Sequence, residues 1–75
     1  MNNNRRKQLR KWLTDLEAIK GELEDICSDE EDYFANMPEN LQGSIRGTDS
    51  EDAIDKMYEA IDSLDEAIST VEDVI

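Results

Sequence analysis

Carboxylates are the side chains of this chain with the greatest capacity for chemistry. Pairs of them stand three residues apart, a spacing that places both members on one face of a helix: Glu22 with Asp25, Glu59 with Asp62, and Asp62 with Asp65. On facing helices, such pairs hold Mg²⁺ over a phosphate chain in all-α nucleotide hydrolases. Twenty acidic residues in 75 also produce them by chance, and no lysine or arginine stands among them to hold phosphate. A magnesium-dependent nucleotide hydrolase is therefore the most remote alternative, and we expect no enzyme activity, no metal and no cofactor.

The single cysteine, Cys27, offers little further chemistry. It cannot form an internal disulfide, and the chain has no histidine, so the usual zinc, iron and copper ligand sets are missing. A reactive thiol needs an electropositive neighbourhood, whereas Asp25, Asp29 and Glu30 surround Cys27 in the sequence. We expect Cys27 to be a buried structural thiol beside the apolar face of a helix.

The charge of the chain is large and uneven. Twenty acidic and eight basic residues give a net charge of −12. Five of the basic residues are Arg5, Arg6, Lys7, Arg10 and Lys11. The chain from Trp12 onward therefore carries a net charge of −17, which repels nucleic acid and anionic membranes and favours basic protein partners. For the basic start we expect pairing with Glu66, Glu72 and Asp73 inside the protein; a nucleic-acid-binding arm is the alternative.

Two groups of carboxylates are candidates for binding such a partner. The run from Asp29 to Asp32 lacks the ligand spacing and central glycine of an EF-hand, so a metal site is the last alternative. A solvated helix end explains the run most simply, and an acidic patch that docks on a basic site is the functional hypothesis. The second half of the chain adds carboxylates that would imitate the phosphates of a DNA duplex. The candidate carboxylates are Asp29, Glu30, Glu31, Asp32, Asp55, Glu59, Asp62, Asp65 and Glu66.

Two apolar patterns predict the helices that position these groups. In each pattern the gaps alternate between three and four residues, which is typical of a heptad seam. The first consists of Leu9, Trp12, Leu16, Ile19, Leu23 and Ile26, and the second of Ile54, Met57, Ile61, Leu64, Ile68, Val71 and Ile75. They predict a helix over residues 5–32 and a helix over residues 49–75, the latter starting after a capping box of Thr48 and Glu51. Residues 33–48 are predicted to form a structured loop.

The predicted fold is all-α: one domain, residues 1–75, formed by an antiparallel two-helix hairpin with a structured connecting loop. Two helices alone leave apolar surface unburied, so we expect hairpins to pair as a homodimer in a four-helix bundle. Trp12, Leu13 and Tyr58 are candidates for the surface between protomers. The sequence contains neither a run of 18 apolar residues nor a signal peptide, so we expect a cytoplasmic protein without membrane contact.

The connecting loop carries a family resemblance. An acidic run and an aromatic residue precede the sequence Asn-Met-Pro-Glu-Asn-Leu-Gln-Gly-Ser at residues 36–44, and Arg46 follows. This stretch, residues 29–47, resembles a recurrent family of small acidic proteins encoded by bacteriophages and integrated mobile elements. At two positions where that family often has an acidic residue, this chain has Ala35 and Ile45. The resemblance implies a phage or mobile-element origin, and small acidic proteins from that source often inhibit host nucleases, restriction systems or other defences.

Together these features predict an acidic protein-interaction module that modulates or inhibits a host nucleic-acid-associated or defence protein. We expect it to bind no nucleic acid directly. The predicted loop determinants are Phe34, Met37, Pro38, Asn40, Leu41 and Arg46. The alternative for three of them, Phe34, Met37 and Leu41, is that they cap the open end of the bundle. The alternative function is a structural or assembly accessory protein that pairs through its heptad seam with a helix of another protein.

Overall fold

The computed structural model describes residues 1–75 as an antiparallel hairpin of two long helices. The elements are α1 (Asn3–Ala35), the single turn α2 (Glu39–Gln42) and α3 (Ile45–Glu72), with no strand. An ion pair joins Lys20 to Asp65 and a hydrogen bond joins Ser50 to Glu30, so residues further along α1 meet residues earlier in α3. The Cα atoms span 58 × 15 × 13 Å. The prediction of an all-helical hairpin is confirmed.

The helix α1 begins before and ends after its predicted limits of residues 5 and 32. It begins early because the Asn2 side chain accepts a hydrogen bond from the Arg5 backbone N–H at 2.8 Å, as an N-cap does. It ends late because nothing before Pro38 prevents helical backbone; the proline disfavours that conformation at Met37. Residues 33–35, which were predicted to lie in the loop, therefore form the last turn of α1.

The helix α3 begins at Ile45, so the predicted start at residue 49 and the Thr48–Glu51 capping box are wrong. Ser44 is the N-cap: its hydroxyl accepts from the Gly47 backbone N–H at 3.4 Å, and its carbonyl accepts from Thr48 N–H at 2.9 Å. The connection shortens to residues 36–44 and contains α2. At the other end, α3 stops at Glu72, three residues before its predicted limit, so Ile75 lies outside the helix.

The core of the hairpin is narrow, because α1 and α3 meet along a single ridge of side chains. We call the buried and half-buried residues of α1 that recur every three or four positions the core track. The core track consists of Leu9, Leu13, Leu16, Lys20, Leu23, Cys27, Glu30 and Phe34. From α3, the buried or half-buried seam residues are Ile54, Met57, Ile61, Leu64, Ile68 and Val71. The predicted seam of α3 is thus confirmed over these six positions, and Cys27, with 2% of its surface exposed, is the buried thiol that was predicted.

The predicted seam of α1 is only half correct. Trp12, Ile19 and Ile26 are 42%, 53% and 58% exposed. From Leu9 the spacing permits two paths, through Trp12 or through Leu13, and a single facing helix covers only one of them. The structure follows the second path, on which Lys20 and Glu30 find polar partners on α3. Leu13, a candidate for the surface between protomers, is therefore buried inside the hairpin.

No helix of this structure combines the length and the apolar character needed to cross a membrane.

The turn between α2 and α3 depends on a close backbone approach at Gly47. A Cβ atom at this position would lie 2.0 Å from the carbonyl oxygen of Gln42, and Gly47 is buried. Any larger residue must therefore push the last turn of α2 away from α3.

We expect Gly47→Ala to lower the free energy of unfolding by at least about 2 kcal/mol, because overpacking against backbone cannot be relieved by a side-chain rotation. Urea unfolding at fixed protein concentration measures it. Gly21→Ala is the matched control: nothing lies within 4 Å of its added Cβ, so it should stabilise α1 by up to about 1 kcal/mol. Equal stabilities of the two variants would contradict the packing at Gly47.

Candidate functional site

The acidic run Asp29–Asp32 does not form one patch. It lies inside α1, where each residue turns the side chain by about 100°. Asp29 and Asp32 are exposed, while Glu30 is half-buried on the core track. The predicted docking patch is therefore divided, and of its four carboxylates only those of the two aspartates make no hydrogen bond within the protein.

Glu30 and Glu31 hold α3 in place. Ser50, which is buried, donates a hydrogen bond to the Glu30 carboxylate at 2.6 Å. The Tyr58 hydroxyl donates to the Glu31 carboxylate at 2.8 Å, and the Cys27 thiol approaches the same oxygen at 3.8 Å. Two of the four carboxylates assigned to partner binding thus fix the packing of the helices. One feature of the sequence indicates this arrangement. Ser50 lies four residues before Ile54 and so continues the spacing of three and four residues in the α3 seam.

These contacts change the acidity of the groups around Glu31. The hydrogen bond to Glu31 raises the pKa of Tyr58, and burial adds to the shift, since both favour the neutral phenol. Burial raises the pKa of Cys27, and the neighbouring carboxylate of Glu31 reinforces it. Cys27 is therefore a protonated thiol of low reactivity.

The five candidate carboxylates of α3 are all exposed. Asp65 pairs with Lys20, and the hydrogen bond between them raises the pKa of the lysine. The other four recur every three or four residues and so share one side of the helix. We call them the acidic strip: Asp55, Glu59, Asp62 and Glu66.

Few carboxylates of the protein are neutralised by a cation. Three ion pairs form, joining Lys11 to Asp15, Lys20 to Asp65 and Lys56 to Glu59. The predicted pairing of the basic start with Glu66, Glu72 and Asp73 is not formed: of its five basic residues only Lys11 makes an ion pair, with Asp15 one turn further along its own helix. Close neighbours in sequence form such a pair with less ordering of long side chains than partners on another helix.

The loop brings four of its six predicted determinants together. Met37, Pro38, Leu41 and Arg46 line one open cleft of about 370 Å³, with Tyr33 and Asn36. Phe34 lines a different cleft, with Glu31, Glu51, Ile54 and Asp55, and Asn40 lines neither. Met37 is buried whereas Leu41 is exposed, so of the residues proposed to cap the bundle Met37 fits that interpretation best.

Gln42 fixes the shape of this loop, a role that the sequence did not indicate. Its side-chain amide donates to the backbone carbonyls of Met37 at 3.1 Å and Phe34 at 3.4 Å. These carbonyls lie at or just beyond the end of α1, where helices leave acceptors unpaired; the Phe34 carbonyl also accepts from the Met37 backbone N–H at 3.1 Å. The amide therefore couples α2 to the end of α1.

No group of three or more His, Cys, Asp or Glu side chains is arranged to hold a metal ion.

Comparisons of the chain with protein-family models, curated proteins and solved structures gave no match. The resemblance of residues 29–47 to the phage and mobile-element family stays a prediction.

The bond between Tyr58 and Glu31 predicts a loss of stability in alkali. A phenol whose pKa is raised on folding contributes stability that is complete below its unfolded pKa of about 10 and is lost as the pH rises through its higher folded value. Tyr58→Phe should therefore be less stable than wild type at pH 8 and should lose less stability than wild type between pH 9 and 12. Urea unfolding midpoints across this range test it.

Tyr33→Phe is the matched control, since it removes an exposed hydroxyl that makes no hydrogen bond within the protein. It should keep the wild-type pH profile. If Tyr58→Phe and wild type lost stability in parallel, the bond to Glu31 would have no energetic role.

Proposed function

We propose that this protein is a small acidic interaction module that binds a basic protein of a bacterial host and modulates or inhibits it, without catalysing a reaction. The partner class that fits best is a nucleic-acid-associated or defence protein, because proteins that bind phosphate backbones present basic clefts. The resemblance of residues 29–47 to the phage and mobile-element family supports an origin in such an element and action in the host cytoplasm.

The observation that carries this proposal is the large excess of unpaired carboxylates. Three of the twenty acidic residues take part in ion pairs. Their mutual repulsion opposes the compact state, while the same field attracts a basic partner and speeds its association. The acidic strip is the most regular part of this surface: all four of its members are exposed on one side of α3, and Glu59 alone among them pairs with a cation, Lys56.

The spacing of the acidic strip supports mimicry of a nucleic-acid backbone as the mode of binding. Its residues follow one another after four, three and four positions, or about 5.5 Å of helix for each charge. One strand of B-DNA carries a phosphate about every 3.4 Å. A basic cleft built for the phosphates of one strand thus meets a similar, less dense row of negative charge on a rigid helix.

The cleft at the loop supplies a second contact of different chemistry. Pro38 and Leu41 are exposed beside the buried Met37, and Arg46 brings a positive charge to the rim. We propose that this cleft receives an apolar side chain of the partner while the acidic strip meets its basic surface. An apolar anchor next to a polar rim is the usual arrangement of a protein interface.

The working form that we propose is a homodimer in a four-helix bundle. Exposed Trp12, Ile19 and Ile26 support it, because large apolar residues in one stretch of a helix surface mark an interaction site. The same residues favour the second candidate function, an assembly protein that pairs with a helix of another protein. The two candidate functions predict different behaviour of the isolated protein. The module that binds a host protein should be a well-folded dimer, whereas the assembly protein should be a poorly folded monomer.

The test of the acidic strip compares two variants that remove the same number of charges. The strip variant carries Asp55→Asn, Glu59→Gln, Asp62→Asn and Glu66→Gln. Its matched control neutralises four exposed carboxylates of α1, with Glu17→Gln, Glu22→Gln, Glu24→Gln and Asp25→Asn. Each protein is immobilised, and the host proteins that it retains from lysate are identified at 50 mM and at 500 mM salt. The affinity of each protein for the purified partner is then measured.

We expect the strip variant to bind about thirty-fold more weakly than the control, since four exposed charge contacts of about 0.5 kcal/mol each amount to about 2 kcal/mol. Wild-type binding should be lost at 500 mM salt because exposed charges are screened. Equal weakening of both variants would show a non-specific effect of net charge. Binding that is indifferent to salt, or no retained protein at 50 mM salt, would also contradict the proposal.

A further inference from the structure

The exposed apolar residues of α1 form a regular row. Trp12, Ile19, Ile26 and Tyr33 stand seven residues apart and are 42%, 53%, 58% and 49% exposed. Seven residues are close to two helical turns, so the four side chains lie nearly above one another. We call them the large row.

A row of smaller residues accompanies it along α3 and just past its end. Ala53, Ala60 and Ala67 on α3, and Val74 two residues beyond its last residue, also stand seven residues apart, and all but the half-buried Ala67 are exposed. The ion pair between Lys20 and Asp65 fixes the register of the two helices. Ile19 therefore lies within one residue, about 1.5 Å of helix rise, of the level of Ala67, and the other levels follow in steps of seven. We call these four residues the small row.

Both rows lie on the same side of the hairpin. The Tyr58–Glu31 hydrogen bond and the Lys20–Asp65 ion pair cross one side. With about 100° of rotation per residue, the large and small rows turn toward the other side. Trp12 accordingly lines a cleft of about 500 Å³ together with Leu9 and Val71, on the half-open edge of the core.

We infer that this apolar face is covered by a second copy of the chain, related by a two-fold axis parallel to the helices. This inference rests on the proposed homodimer and assigns its interface and symmetry. Such an axis preserves the level of every residue and places α1 of one copy against α3 of the other. Ile19 then meets Ala67 of the partner's α3, and every large residue meets a small one.

The alternative two-fold axis, perpendicular to the helices, packs less well. It places α1 against α1 and the large row against the large row, with alanines facing alanines across a gap. Protein interiors are close-packed, and empty space between helices forfeits van der Waals contact. Large against small is the pairing that fills the interface evenly along its length.

The size of the face suits a stable dimer, although the net charges of the two copies repel one another. A side of 58 × 15 Å offers about 900 Å², close to the about 800 Å² that each partner buries in a standard interface. At its rim, Asp29 of one copy comes level with Lys56 of the other. Both acidic strips remain on the outside. Because the two copies are each strongly negative, added salt should strengthen this association, whereas it weakens binding to a basic partner.

Sedimentation equilibrium at low and high salt tests whether the face joins two copies. The wild type should have twice the 8.6 kDa chain mass. Ile19→Glu with Ile26→Glu should weaken the dimer at least a hundredfold. The matched control, Ala18→Glu with Ser28→Glu, adds the same charges at exposed positions of α1 away from the face and should stay dimeric. A monomeric wild type would overturn both the proposed dimer and this interface.

Disulfide trapping tests the symmetry independently of folding defects in the glutamate variants. In a Cys27→Ala background, chains with Ile19→Cys and chains with Ala67→Cys are mixed and oxidised. The parallel axis predicts a disulfide between the two kinds of chain and none in either alone. Trapping of Ile19→Cys chains with Ile26→Cys chains would instead establish the perpendicular axis and overturn the inference, while leaving the proposed dimer intact.

Discussion

The packing of α1 against α3 along one ridge of side chains is the contact on which the rest of the structure depends. Seven of 75 residues are buried, so the hairpin has no second layer of core to compensate for an error in this ridge. The ridge also carries polar groups. Lys20 and Glu30 occupy positions on the core track, and both are bound by residues of α3. These contacts set the register of the helices because a shift by one turn would leave Ser50 and the Glu30 carboxylate without a partner on the half-buried ridge.

A single ridge leaves the two sides of the hairpin chemically different. One side carries the Tyr58–Glu31 and Lys20–Asp65 contacts. The other carries the large and small rows, which are apolar. The carboxylates of the acidic strip point away from the ridge into solvent. This division lets one small chain offer two kinds of surface: an apolar one suited to another helix pair, and a charged one suited to a basic protein.

The loop owes its shape to backbone contacts more than to its apolar residues. Gly47 permits the approach of Gln42, and the Gln42 amide binds carbonyls near the end of α1. The predicted loop over residues 33–48 placed six determinants together, and the structure gathers four of them at one cleft. Phe34 faces elsewhere because α1 continues through it. Local sequence does not locate these limits, because Pro38, which ends α1, and Ser44, which caps the start of α3, each compete with other residues that could end or cap a helix.

The sequence by itself determined the all-helical hairpin, the seam of α3, the buried thiol of Cys27 and the excess of negative charge. Each of these follows from residue type and spacing alone, since apolar side chains at intervals of three and four residues on a helix must share a face. Only the tertiary structure decided which of two paths on α1 enters the core, and that Glu30 and Glu31 hold the helices while Asp29 and Asp32 stay free. The reason is that a polar side chain is buried only where a partner on another helix stands within hydrogen-bonding distance. The pattern of residues along the chain does not give that distance.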